Sequence, residues 1–403
     1  MKIRNRGFKR SDLSKYIYMF TLVMYLTVSI LRTTMFETYF PEKLYPVVRM
    51  VMIGIILLKL IFLDAYSFKN IIYYTILGIC IVFVYIFSTY NNIFDLFFLL
   101  LGAKKIEPNK IIKTYFIVAL FLMIITFISS KIGIIENLQY YRPQNGKMRE
   151  AFGTIYPTDF GAHVFYLVLS YCYIKRKSIS LGNIIVFILM SLFLIEYCDA
   201  RLDAICIMLA CVLFVINRLN SKLYLSKISK YILRNSIIFA AIISIGITIL
   251  YNMNPNNLTL LSLNKFLSDR LQLGSMAIDN YGFSIFGQHI LTNGYGGSTD
   301  YLENYFFIDC SYLSIALRNG ILFLTIILMC FKFLCKKNLE HGNTKLPIII
   351  ALISLNSMVA HHFLDLAYNP FLILIATPIT DEIYENMKHK IKFDFSFRKV
   401  ISQ

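Results

Sequence analysis

Long apolar segments dominate this chain and decide what it can fold into. About twelve such segments, most of them near 20 residues, are separated by short polar or basic stretches. A helix of about 20 apolar residues crosses the hydrocarbon core of a bilayer, which is about 30 Å thick. The apolar fraction of 57% in 403 residues also exceeds what a soluble domain of this length buries in one core. We therefore predict an all-α integral membrane protein with about twelve transmembrane helices.

The predicted spans place residues 1–403 in a single polytopic membrane domain. Its two larger loops cover about 136–157 and 252–307. Span 10 is expected to divide into an interfacial or re-entrant helix over 309–318 and a crossing over 319–334. Spans 4 and 12 are short and contain polar residues. The predicted spans are residues 16–31, 46–63, 70–88, 90–103, 113–135, 158–174, 181–198, 201–217, 235–251, 308–334, 346–363 and 368–380.

Basic residues predict the orientation of these spans. Cytoplasmic loops of membrane proteins are enriched in Lys and Arg. Twelve spans place all of the basic clusters of this chain on the cytoplasmic side. We therefore predict cytoplasmic N- and C-termini and place the two larger loops on the outer face. The net charge of +17 then reflects topology and does not indicate a nucleic-acid partner.

The first outer loop and the start of span 6 carry candidate site residues. Pro157 is expected to begin the helix, with Asp159 in its first turn and His163 four residues later on the same face. Charged groups beside a bilayer are costly, so Arg142, Arg149 and Asp159 are candidate site residues, together with His163. The alternative interpretation is a solvated loop followed by a capped helix.

Further candidates lie near the outer ends of later spans. Arg201, between spans 7 and 8, is either a phosphate-binding group or one partner of a structural ion pair with Asp199 or Glu196. His361 and His362 are reserve catalytic candidates, with interface packing as the alternative. Neighbouring side chains on a helix point about 100° apart, so we expect no metal at these two residues. The remaining candidate binding residues are Arg270, Asp309, Tyr312 and Arg318.

Familiar cofactor motifs are missing from the sequence. The stretch Gly294-Tyr295-Gly296-Gly297 lacks the Lys and Ser or Thr of a phosphate-binding loop. Neither an HExxH motif nor a paired-cysteine zinc pattern is present. We therefore expect a protein that uses no cofactor and no metal.

Three short motifs resemble the Wzy-type bacterial polysaccharide polymerases of the O-antigen polymerase/ligase superfamily. The first is Arg149, then Phe152-Gly153, then a helix led by Pro157. The second is the outer Arg that opens a span, within 199–203, although Ala200 stands where relatives often have Ser or Thr. The third, within 308–322, is an Asp-x-Ser-Tyr-Leu stretch followed by Gly-Ile. The resemblance extends over about residues 90–380.

This resemblance implies a membrane glycosyltransferase in the bacterial cytoplasmic membrane. Its substrate would be an oligosaccharide on undecaprenyl pyrophosphate, whose glycan is transferred at the outer face to a sugar hydroxyl of another repeat unit. The product would be capsule, O-antigen or exopolysaccharide, and a chain-length regulator and a flippase would be partners. No nucleotide is consumed, which agrees with the missing motifs.

The resemblance implies that the pyrophosphate is bound by Arg142, Arg149, Arg201 and Arg270. The general base would be Asp159 or His163, with His361 or His362 in reserve. Six outer tyrosines would either stack on sugar rings or anchor the protein at the membrane interface, namely Tyr140, Tyr141, Tyr156, Tyr295, Tyr301 and Tyr305.

Other classes of membrane protein stay open at this point. A flippase for lipid-linked oligosaccharides, or another secondary transporter, typically shows internal repeats and polar sites near the bilayer midplane. Here no halves match, and the candidate charges lie near the outer boundary. A ligase of the same superfamily would pass the glycan to a different acceptor. A membrane O-acyltransferase would need an intramembrane His paired with Asn or Asp, and the sequence offers no convincing case.

Overall fold

The computed structural model describes residues 10–64, 68–142, 146–175, 179–219, 226–299 and 303–377. The protein is mostly helical, at 73%, which confirms the predicted helical class. The α-helices are α1 (Arg10–Leu31), α2 (Leu44–Phe62), α3 (Phe68–Ser88), α4 (Asn92–Ala103), α5 (Pro108–Lys131), α6 (Pro157–Ile174), α7 (Leu181–Phe193), α8 (Arg201–Leu219), α9 (Lys227–Met253), α10 (Leu258–Phe266), α11 (Arg270–Tyr281), α12 (Ser311–Arg318), α13 (Gly320–Glu340) and α14 (Lys345–Asn356).

Several of these helices have the length and composition of membrane spans. Five described segments are long and apolar enough to cross a bilayer, so the chain is a helical membrane protein. The number of twelve crossings and the cytoplasmic position of both termini stay predictions, and residues 1–9 and 378–403 lie outside the described ranges. The five segments are Arg10–Leu31, Leu44–Phe62, Pro108–Lys131, Leu181–Cys198 and Lys227–Met253.

Predicted spans 4, 11 and 12 are shorter in the structure than the sequence suggested. α4 and α14 have 12 residues each, which corresponds to about 18 Å of helix. The described part of span 12 holds a 3₁₀ helix, Pro370–Ala376, and its last residues, 378–380, fall outside the described ranges. These seven residues rise about 14 Å, less than half of a bilayer core. None of the three is a helix of membrane length among the described residues.

The predicted break in span 10 is confirmed, because α12 ends at Arg318 and α13 begins at Gly320. The loop before α12 packs its backbone against this junction. A Cβ atom on Gly320 would lie 2.2 Å from the carbonyl oxygen of Ile285, and one on Gly287 would lie 2.1 Å from that of Arg318. Both glycines also have φ angles near +90°, at +86° and +91°. Only glycine fits these two positions.

The first large loop forms a β-hairpin that is joined to the end of α1. Strand β1 (Gln139–Arg142) pairs antiparallel with β2 (Lys147–Glu150), in a register that places Tyr140 opposite Arg149. After β2 the chain turns into α6, and the amide of Met35 donates a hydrogen bond to the carbonyl of Gly153 at 2.8 Å. The hairpin therefore has a fixed position over the start of α6. The alternative of a solvated loop is wrong for this segment.

Helix α6 is buried along most of its length and contacts α5, α8 and α14. Its Gly161 allows α8 to approach closely. A Cβ atom on Gly161 would lie 2.7 Å from the Cβ of Ala200 and 2.9 Å from Oδ2 of Asp203. The first turns of α6 and α8 therefore lie side by side, and polar side chains from both helices meet at one end of the bundle.

Candidate functional site

The centre of the candidate site is a contact between Asp159 and His362. Nε2 of His362 lies 3.0 Å from Oδ1 of Asp159, and their side chains are 3% and 12% exposed. Asp159 lies in the first turn of α6, whereas His362 begins a short 3₁₀ turn, His362–Leu364, after α14. This turn exists because α14 stops at Asn356, which lets the chain bend back over α6. The structure thus brings together two predicted catalytic residues.

His361 lies beside this pair. Its ring centroid is 4.0 Å from that of His362, and the edge of Phe307 packs against it at 4.9 Å. The expectation that the two histidines point apart assumed an α-helix, and that assumption is wrong. In the turn, one ligating atom from each of Asp159, His361 and His362 lies within 4.8 Å of the other two.

His163 lies beneath the Asp159–His362 pair and is fully buried. Its Nε2 is 2.7 Å from the hydroxyl of Thr33, and its ring stacks on Tyr368 at 4.1 Å. The ring of Tyr368 in turn lies 4.3 Å from that of His362. His163 therefore supports the cluster from within and has no exposed surface for a substrate. Thr33 and Tyr368 were missed in the sequence, because they are far from α6 along the chain and no spacing links them to it.

Arg149 is 7% exposed and links the hairpin to the turn before α8. Its Nε donates a hydrogen bond to the carbonyl of Cys198 at 3.0 Å. Its Nη1 donates to the hydroxyl of Tyr156 at 3.2 Å, and the guanidinium lies 5.1 Å from the centre of that ring. These contacts hold the hairpin in place and leave little of the guanidinium for a ligand.

Arg142 and Arg201 share one carboxylate, that of Asp199. Nη1 of Arg142 lies 2.5 Å from Oδ2 of Asp199, and Nε of Arg201 lies 2.7 Å from Oδ1. Burial alone would raise the pKa of Asp199, but the two guanidinium groups outweigh burial and hold the pKa below its ordinary value. Arg142 also donates to the hydroxyl of Ser268. Two positive charges against one negative charge leave this cluster cationic, and the Arg201 side chain is 57% exposed.

Arg270 forms an ion pair with Asp309, with Nε 3.2 Å from Oδ2. Arg270 begins α11, and Asp309 precedes α12, so this pair joins the second large loop to the bundle. In the first turn of α8, Oδ1 of the buried Asp203 accepts a hydrogen bond from the side-chain amide of Asn356 at 2.8 Å. The structure therefore places Arg270 and Asp309 at the same end of the bundle as the histidines.

Tyr312 and Arg318 have packing contacts of their own. Tyr312 is fully buried, and its hydroxyl donates to the carbonyl of Ser354 at 3.0 Å. The guanidinium of Arg318 lies 5.6 Å from the centre of the Tyr90 ring. Within the described part of the chain, no contact joins either residue to Asp159. Among the described residues, the contacts of Tyr312 and Arg318 are therefore packing contacts between helices and neighbouring segments.

Four tyrosines form a cluster beside the hairpin. Tyr140 and Tyr156 have ring centroids 4.7 Å apart, Tyr156 and Tyr295 are 5.9 Å apart and stacked, and Tyr305 lies 5.4 Å from Tyr295. This tyrosine cluster connects β1, the start of α6 and the second large loop. Tyr141 points away and is exposed, and Tyr301 lies outside the described residues.

No family model, curated protein or solved structure matches this chain. The fold and the site define a helical membrane protein with an acid–imidazole cluster at one end of its bundle. A cationic cluster and a group of aromatic rings lie at the same end, on the hairpin and the segments that contact it. This combination supplies a proton acceptor, positive charge and flat apolar surfaces.

Proposed function

We propose that this protein polymerises lipid-linked oligosaccharide repeat units at the outer face of a bacterial cytoplasmic membrane. The glycan would be transferred from undecaprenyl pyrophosphate to a sugar hydroxyl of a second repeat unit. The observation that supports this most is the Asp159–His362 pair, which lies at the end of the bundle that also carries the Arg142–Asp199–Arg201 cluster. The proposal places this end outside and both termini in the cytoplasm.

Asp159 is the proposed general base. Its Oδ1 is held by His362, whereas Oδ2 has no hydrogen-bond partner among the described residues. A carboxylate with one oxygen fixed and one free can accept the proton of an acceptor hydroxyl. That hydroxyl oxygen would then form a bond with the anomeric carbon of the donor, and the bond from that carbon to the pyrophosphate oxygen would break. His163, Thr33 and Tyr368 act as positioning residues beneath this pair.

The leaving pyrophosphate would be bound by guanidinium groups. Arg201 suits this role because its side chain is half exposed and belongs to a cluster with excess positive charge. Arg142 and Arg270 would add positive charge from the hairpin and from α11. Preorganised cations lower the free energy of a transition state in which negative charge develops on the leaving group. Arg149 would contribute by fixing the hairpin.

The first experiment is deletion of the gene, followed by analysis of lipid-linked glycans and surface polysaccharide. Loss of a polymerase leaves single repeat units on the carrier lipid at the outer leaflet. Loss of a flippase instead leaves them on the inner leaflet, and this result would refute the proposal in favour of the carrier alternative. A ligase would be recognised by normal polymer that is not attached to its final acceptor.

The second experiment tests Asp159 directly with Asp159→Asn. Polymer formation in vitro should fall by about 10²–10⁴-fold, since this is the usual contribution of a general base. Asp279→Asn is the matched control, because Asp279 is an exposed carboxylate of α11. Both variants should reach the membrane in normal amounts. Equal activity of the two variants would remove Asp159 from the reaction.

A further inference from the structure

We propose that Asp159, His361 and His362 form a binding site for one divalent transition-metal ion of the zinc class. The three side chains offer two imidazole nitrogens and one carboxylate oxygen, each within 4.8 Å of the other two. They come from α6 and from the turn after α14, so the site exists only in the folded bundle. This inference concerns what the cluster binds and does not depend on the proposed reaction.

The spacing of the cluster suits one small ion. Ligand atoms at about 2.0–2.1 Å from a tetrahedral zinc lie about 3.3 Å from each other. Nε2 of His362 and Oδ1 of Asp159 are already 3.0 Å apart. A small movement of His361, whose ring is 4.0 Å from that of His362, would complete a three-ligand set. Three protein ligands leave a fourth position for water or an oxygen of a phosphate group.

The hydrogen bonding of the two histidines also favours an ion. A neutral imidazole has one nitrogen that carries hydrogen and one that carries a free electron pair. Nδ1 of His361 and Nδ1 of His362 are both buried and have no hydrogen-bond partner among the described residues. Two adjacent imidazoles with unused nitrogens, next to a carboxylate, are unusual in a packed interior, where polar atoms are normally paired. A metal ion would use one nitrogen of each ring, which for His362 is Nε2, the atom next to Asp159.

The ligand types select the class of ion. Imidazole nitrogen suits zinc and neighbouring transition metals, whereas magnesium and calcium prefer sites made of oxygen ligands. One carboxylate and two neutral imidazoles leave a bound divalent ion with a net positive charge. The nearby carboxylate of Asp309 is paired with Arg270 and adds no further anionic ligand to the set. The open position would therefore attract an anionic oxygen.

The test uses the full-length protein in detergent, treated with a chelator and then titrated with Zn²⁺ or Co²⁺. We expect one metal equivalent per chain by elemental analysis, and an absorption spectrum of bound Co²⁺ typical of low coordination with nitrogen ligands. His361→Ala should weaken Zn²⁺ binding by at least about 100-fold. Loss of a residue that only hydrogen-bonds to a metal ligand already lowers metal affinity by about 10–100-fold, and His361 would be a ligand itself. His289→Ala is the matched control, because His289 contacts Thr89 elsewhere in the protein.

Two results would overturn this inference. One is a wild-type protein that binds less than a tenth of an equivalent and gives no Co²⁺ spectrum, a result that needs no variant. The other is unchanged affinity in both His361→Ala and Asp159→Asn, with helix content and monodispersity equal to wild type. Metal content is measured without turnover, so failure here leaves the polymerase proposal intact. Likewise, failure of the polymerase test leaves metal binding intact.

Discussion

Replacing Arg149 with Ala tests whether this residue binds substrate, as the sequence suggests, or holds the hairpin in place, as its contacts indicate. In the structure Arg149 is buried, donates to the Cys198 carbonyl at 3.0 Å and lies over the Tyr156 ring. A hydrogen bond from a charged donor contributes about 1.5–3 kcal/mol, and a cation–π contact about 0.5–2 kcal/mol, with the upper value for buried groups. Arg149→Ala should therefore lower the free energy of unfolding by about 2–5 kcal/mol. Polymer formation should fall because the hairpin is no longer held in place.

Arg201→Ala is the matched comparison. Its side chain is exposed, and an exposed ion pair contributes at most about 1 kcal/mol. The difference in stability is measured by thermal unfolding of both variants in detergent, with the circular dichroism signal of the helices as the readout. We expect a clearly lower melting temperature for Arg149→Ala, and a near-normal one for Arg201→Ala although its polymer formation is lost. Equal melting temperatures would show that the buried contacts of Arg149 contribute little, and would return it to the group of substrate-binding candidates.

Three further predictions concern packing and charge. Gly320→Ala should lower the yield of folded protein in size-exclusion chromatography, because its Cβ would lie 2.2 Å from a carbonyl oxygen. Gly246 has open space around it, so Gly246→Ala should leave this yield unchanged. Asn356→Leu should cost about 1–3 kcal/mol in chemical denaturation, since Asp203 loses its buried donor; an unchanged midpoint would contradict this. The pKa of Asp199 is lower in the folded protein than in the unfolded chain. The ionised Asp199 therefore stabilises the folded state above the ordinary Asp pKa of about 3.9, and this stabilisation is lost as the pH falls through the pKa of the folded state. The stability difference between wild type and Asp199→Asn should therefore shrink below about pH 4, and a constant difference would refute the assignment.

The sequence was a good guide where a local rule decides the structure. Pro157 begins α6 and places Asp159 in the first turn, as the proline rule predicts. The break between α12 and α13 follows from the charged Arg318 and from Asn319-Gly320. It was a poor guide to span 12, where Asn369 caps the amide of Phe371 and a 3₁₀ helix follows. A hydropathy pattern counts apolar residues and does not register such caps.

The charged residues of the outer segments also show what local sequence rules leave undecided. The sequence nominated Arg142, Arg149 and Arg201 together, since each is a cation on the predicted outer side. Only the contacts distinguish them, because Arg149 bonds a backbone carbonyl in the interior while Arg201 remains half exposed. Asp199, two residues away, was one of the two ion-pair partners that the sequence offered for Arg201. The partner of Arg149 was not, since Cys198 is 49 residues away along the chain.

By itself, the sequence determined that this is a helical membrane protein, because long apolar segments are stable only with their backbone hydrogen bonds satisfied in lipid. It also placed Asp159 at a helix start, because that depends on neighbouring residues alone. The tertiary structure decided that Asp159 meets His362, 203 residues away, and that His361 lies beside them. Such a meeting depends on where α14 stops and how closely α6 and α8 pack. Those are properties of the whole bundle, and no spacing along the chain carries them.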